Sequence, residues 1–200
     1  TLKRWEYGGK IDFVSDGNRV KFNVPTRFTS QQRTQVSGHI VGLFSNSYIS
    51  YHTHPGISTA GGNSPLPSST REVYVTLPSG ADFEAYIKGY PGMQANLIAD
   101  RHGYYVIDII ESVEKGQRPV PATVNRHMEW IRQQSFFRSR VFGEDGTEYF
   151  ATTLRDWKEA INGEINPHMK RMFGISMKYY TYDEEPATVT VSRVGNSTGR

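Results

Sequence analysis

No cysteine occurs among the 200 residues of the chain. Disulfides, thiolate zinc sites and cysteine nucleophiles are therefore excluded, and any metal must sit on histidine and carboxylate. Long apolar runs are missing too. Nothing approaches the ~20 residues that a membrane helix needs, so no membrane span is expected. An excess of one charge is also lacking: Lys and Arg number 23 against 20 Asp and Glu, scattered rather than blocked, and the sequence pI near 9.0 reflects that small difference. So even a balance gives no argument for nucleic acid as a partner. The 12 Tyr and 10 Phe have no basic run beside them and read as core and interface residues rather than base-stacking groups. A secretory signal pattern is absent, and a first residue of Thr rather than Met is expected of an excised or processed piece.

What is present suffices for one compact domain, since 36% of 200 residues are hydrophobic. Residues 5–28 alternate β-formers around Asp16-Gly17-Asn18, which predicts a hairpin. The stretch from Val36 to Tyr51, with "HIVGLF" and "YISY", predicts a strand that ends near His52 and His54, stopped by Pro55. A Gly-, Ser- and Pro-rich loop follows from Gly56 to Ser69, in a position suited to a flap. "REVYVTLP" reads as a strand, Asp82 to Lys88 as a short helix, and "QANLIAD" with "YYVIDII" as a hairpin around His102-Gly103. Helical spacing marks Val124 to Arg140 and Thr152 to Phe173, the second interrupted or kinked at Pro167. "ISMKYYTY" and "ATVTVSRV" close the chain as strands.

Chemistry concentrates at "SYISYHTHPG". Residues two apart on a strand share a face, so His52 and His54 project side by side while Thr53 faces away. Two imidazoles so placed can share one zinc, and a hydrolytic zinc has three protein ligands with an open position for water. Two carboxylates compete for third place. Ser69 precedes Glu72 by three and Ser79 precedes Asp82 by three, and each pair also fits an ordinary helix start. Glu72 runs into extended "VYVTLP", whereas Asp82 runs into helical "FEAYIK", where a ligand is held by its turn. That context favours Asp82. Upstream, Glu6 stands just before Gly8-Gly9, a pair that marks a bulge or a close approach of another segment. His39 precedes an apolar strand, His102 belongs to a turn, and His127 and His168 fall on helices. None of these four is expected to be a ligand.

"EYGGKI", "YHTHPG" and "PSGADF", in that order, resemble the JAMM (MPN-domain) metalloprotease pattern: a glutamate on an early strand, HxHP, and Ser-x-x-Asp opening a helix. The resemblance covers about residues 4–112. It implies an α+β fold, a mixed sheet with flanking helices of the JAMM and cytidine-deaminase kind, with residues 1–118 as the catalytic unit. Residues 119–200 would be a helical and β extension packed on the same domain. It further implies zinc on His52, His54 and Asp82, with Glu6 as the acid/base and Ser79 helping to hold the developing oxyanion. The family's spacing is shorter than the 28 positions between His54 and Asp82, so either the intervening stretch is an insertion or Glu72 replaces the aspartate. The activity implied is hydrolysis of amide, peptide or isopeptide bonds in a protein or peptide substrate, in a bacterial, phage or toxin-associated setting. Localisation stays open between a soluble bacterial cytoplasmic protein and a delivered effector. A non-catalytic scaffold that docks a partner through the C-terminal third, and a metal-dependent phosphodiesterase, are the alternative expectations.

Overall fold

The structure, a computed structural model, describes residues 7–16, 19–23, 27–29, 48–54, 56, 72–109, 119–134, 140–142 and 148–182. Glu6, His39, the "HIVGLF" run, the Gly/Ser/Pro-rich stretch after Gly56 and the "ATVTVSRV" strand lie outside them. The order is β1 (Tyr7–Asp16), β2 (Arg19–Asn23), β3 (Arg27–Thr29), β4 (Tyr48–Thr53), β5 (Glu72–Val75), α1 (Gly80–Gly89), β6 (Met93–Ala99) and β7 (Gly103–Ile109). It continues with α2 (Pro121–Arg132), β8 (Arg140–Phe142), β9 (Glu148–Thr153), α3 (Leu154–Glu159), a π-helical segment (Ala160–Ile165), α4 (Asn166–Phe173) and β10 (Ile175–Thr181). The fold is α+β. Its main mixed sheet runs β10-β7-β6-β4-β1-β2 with β3 on β1, and a small antiparallel sheet runs β5-β9-β8.

The parallel pair β4 and β6 positions the site. Parallel neighbours need a crossover, and α1 lies within it, entering just before β6. The carboxyl end of β4 and the amino end of the crossover helix are where open sheets of this kind accept ligands. The hairpin expected around Asp16-Gly17-Asn18 is β1 and β2, with Asp16 opposite Arg19. The β6–β7 turn is held by Asp100, whose Oδ1 accepts from the backbone N–H groups of His102 and Gly103 at 2.7 and 2.8 Å. Burial pushes the Asp100 carboxyl up to about 6, against the opposing pull of those donors and of the Tyr179 hydroxyl.

One buried cluster spans both parts of the chain. Phe83, Tyr86 and Ile87 of α1 join Val124, Met128 and Ile131 of α2, Trp157 of α3, and Met177 and Tyr179 of β10. Burying an apolar side chain of this size contributes about 1.5–3 kcal/mol, so the three α2 residues together are comparable to the 5–15 kcal/mol by which a domain is stable. The region beyond residue 118 is therefore built into the sheet and core that carry the histidines, with β10 as the strand beside β7. Its first helix is shorter than its sequence spacing suggests. It ends at Arg132, and Arg140 already belongs to β8. Likewise Thr152 and Thr153 end β9, and Thr153 caps α3 by accepting from the Asp156 N–H.

Pro167 does not break its helix. The turns before it widen to π geometry, with the Asn166 N–H donating back to the Ile161 carbonyl. That widening sets Asn162 and Asn166 against β10. Asn162 accepts from the Tyr179 N–H at 2.8 Å and donates to the Tyr179 carbonyl at 2.9 Å; Asn166 accepts from the Met177 N–H at 3.0 Å and the Ser176 hydroxyl at 3.2 Å. The two amides thus occupy backbone groups that an edge strand would leave open to another chain. Asn166 is 4% exposed, so Asn166→Ala leaves a buried N–H unpaired, and chemical denaturation should show a loss of about 1–3 kcal/mol.

Candidate metal centre

The β4 ladder continues past Thr53, because the His54 N–H donates to the Ala99 carbonyl at 2.8 Å. The two-residue period therefore holds through His54, and both imidazoles leave the same face. Their Nε2 atoms stand 3.2 Å apart.

Asp82 arrives from α1 by a capping box. Ser79, in extended conformation, accepts from the Asp82 N–H, while Asp82 Oδ2 accepts from the Ser79 N–H at 2.7 Å and the Ser79 hydroxyl at 2.9 Å. This satisfies two helix-end donors and fixes the carboxylate's orientation. Its other oxygen, Oδ1, lies 3.3 Å from His52 Nε2; His54 Nε2 lies 3.7 Å from Oδ2. The three side chains are 11–16% exposed. A tetrahedral ion with bonds of 2.0–2.1 Å spaces its ligand atoms about 3.3–3.4 Å apart; the distances of 3.2 and 3.3 Å are close to this, and the 3.7 Å between His54 and Asp82 is longer. His52, His54 and Asp82 thus form a group that could hold a metal ion.

Their protonation suits that task. Burial lowers His54 to about 4, helped by the charges of His52 and Arg132 and opposed by Asp82, so the imidazole is neutral at pH 7 with a lone pair to give. Burial would raise Asp82, but the charge and hydrogen bond of His52, the charge of His54 and the Ser79 N–H outweigh it. Its carboxyl is held well below the usual range.

Glu72 is not part of this group. It stands exposed on β5, opposite Thr153 in the small sheet. Ser79 is present but its hydroxyl is engaged with Asp82. Glu6 lies outside the described residues, although β1 begins one residue later and Gly8 stands opposite His52.

Sequence reasoning missed the contribution of α2. Glu129 Oε1 accepts from the Gly80 N–H at 3.0 Å, in the first turn of the helix that carries Asp82, and Asn125 donates to Glu84 at 2.7 Å. Arg132, paired with Glu148 at 3.6 Å and Glu129 at 3.9 Å, adds to the charge of His52 in lowering His54. Gly80 permits this approach: a Cβ there would lie 2.1 Å from Asn125 Oδ1 and 2.7 Å from its backbone oxygen. The glycine of "PSGADF" was the one available signal of a close neighbour. No family model, curated protein or solved structure matches the chain.

Proposed function

We propose that this protein is a zinc-dependent hydrolase of amide, peptide or isopeptide bonds, of the JAMM type. The observation that supports the reading is the grouping of His52, His54 and Asp82 around one small space, with two of their spacings, 3.2 and 3.3 Å, near those of tetrahedral coordination and the third, 3.7 Å, longer. Imidazole and carboxylate donors without thiolate suit zinc, and three protein ligands leave a fourth position for water. Zinc held there would polarise the scissile carbonyl and lower the pKa of water to about 7.

The chain's own residues supply the rest. Glu6 would take a proton from the attacking water and hand it to the leaving amine, a role the sequence resemblance implies; Gly8, two residues on in β1, stands opposite His52. Ser79 first orients Asp82, and any part in holding the oxyanion would cost its hydrogen bond to Oδ2. The neutral His54 and ionised Asp82 need no proton release to act as ligands at pH 7. A protein or peptide substrate, and a bacterial toxin or effector setting, follow from the sequence resemblance. Among the described residues no second group of three or more such ligands occurs, which weakens the two-metal phosphodiesterase reading. No helix among the described residues is long and apolar enough to cross a membrane.

Protein purified without chelator should carry zinc at this centre and cleave members of a peptide and isopeptide probe panel. Removing the zinc with a chelator should abolish cleavage, and adding it back should restore it. Zinc-loaded protein that cleaves none of the panel, or cleavage that survives in His52→Ala, would overturn the reading.

A further inference from the structure

The bonds that shape the turn carrying Asp82 lie mostly inside it. Ser79 and Asp82 serve one another, each side chain accepting from the other's N–H, so the capping box gives the turn its form but ties it to nothing else. Apart from the contacts among the ligands themselves, two hydrogen bonds leave this turn among the described residues. Asn96 of β6 donates to the Asp82 carbonyl at 3.5 Å, long for such a bond, and Glu129 of α2 accepts from the Gly80 N–H at 3.0 Å. We propose that Glu129 is a positioning residue of the metal centre: its carboxylate anchors the turn that presents Asp82, so the geometry of the ligands is set from α2. This rests on the reading of His52, His54 and Asp82 as the ligands of an ion.

A ligand set works when it is held to within about 0.5 Å of its productive geometry. Phe83, Tyr86 and Ile87 packed with Val124, Met128 and Ile131 place α1 on α2, but apolar burial is non-directional and leaves the first turn room to shift. A hydrogen bond to that turn removes the freedom. The two helices meet with matched spacing: Gly80 and Glu84, four apart on α1, meet Glu129 and Asn125, four apart on α2, and the second bond, from Asn125 Nδ2 to Glu84 Oε2, measures 2.7 Å. The close approach depends on Gly80, where a Cβ would stand 2.1 Å from Asn125 Oδ1. A carboxylate also suits this end of a helix, whose free N–H groups carry partial positive charge. Glu129 is itself steadied. Its Oε2 stands 3.9 Å from Arg132 Nε, and Arg132 Nη2 lies 3.6 Å from Glu148 of β9. A line of polar contacts thus runs from β9 through α2 to the turn beside the ion site, which gives the region beyond residue 118 a part in the centre.

The test is a titration of the metal-free full chain with Co2+, whose visible absorption reports both affinity and ligand geometry. Glu129→Ala is expected to bind Co2+ about 10–100-fold more weakly, the usual effect of losing an outer partner, and to change the shape of the absorption band. Glu129→Gln keeps an oxygen for the Gly80 N–H and should restore both, a rescue that separates the hydrogen bond from bulk. In the unsubstituted chain, with no variant required to fold, the Gly80 amide should exchange its hydrogen slowly. Affinity and band unchanged in Glu129→Ala, a Glu129→Gln as impaired as the alanine variant, or a fast-exchanging Gly80 amide would each overturn the anchoring role. So would a Glu129→Gln that binds the ion normally yet loses turnover, since that result makes the carboxylate an acid/base. Co2+ bound as tightly by His52→Ala as by the unsubstituted chain would instead sink the centre itself, so the two readings fail separately.

Discussion

Asp82→Asn is expected to weaken zinc binding by roughly 100-fold or more, and Ser79→Ala by about 10–100-fold, because loss of an outer partner alone costs that much. The asparagine keeps the size of the side chain and an oxygen for the Ser79 donors, so α1 retains most of its cap. What it loses is the charge on the oxygen that faces His52 at 3.3 Å. Ser79→Ala leaves that charge in place but removes the hydroxyl that holds Oδ2 at 2.9 Å, so the carboxylate must be ordered by the ion itself. It also costs about 1 kcal/mol of helix capping, which thermal melts of the metal-free protein would register separately. Glu72→Gln serves as the control. Glu72 is exposed on the small sheet, and its removal should leave affinity unchanged. A competition assay against a chromophoric chelator at neutral pH reads all three. Should Glu72→Gln and Asp82→Asn exchange their expected effects, the ligand set drawn from the geometry is wrong.

The parts of this site that could be read from sequence are those governed by local rules. The two-residue period of a strand put His52 and His54 on one face, and a Ser three residues before an acid announced the capping box that presents Asp82. Choosing Asp82 over Glu72 also rested on local character, helix after one and strand after the other, and α1 and β5 form at those places. What stayed hidden depends on contacts between distant segments. Glu129 reaches Gly80 across 49 positions and His127 meets His168 across 41, and no local pattern encodes either meeting. The pair of asparagines that covers β10 falls between these cases. Asn162 and Asn166 have ordinary helical spacing, but only the π-helical widening ahead of Pro167 gives that spacing its meaning. The end of α2 was misjudged for a related reason. Apolar residues continue past Arg132, and periodicity alone does not say where a chain turns away from the core to start β8.

Glu6→Gln is expected to lower kcat by about 10²–10⁴, the usual contribution of a positioned acid/base, while zinc content and affinity stay at the level of the unsubstituted protein. This combination separates the role from that of a ligand. His52→Ala should lose zinc and turnover together, whereas a base that acts on water can be removed with the metal still in place. The antiparallel register gives the physical ground: Gly8 stands opposite His52, and Tyr7 is the first residue of β1. Parallel measurements of zinc stoichiometry and single-turnover rate on the same preparation make the distinction. If Glu6→Gln turned over at full rate with zinc bound, the proton would have to move through another carboxylate. Glu129 would be the next to replace, because its Oε1 already reaches the Gly80 N–H, in the turn that presents Asp82.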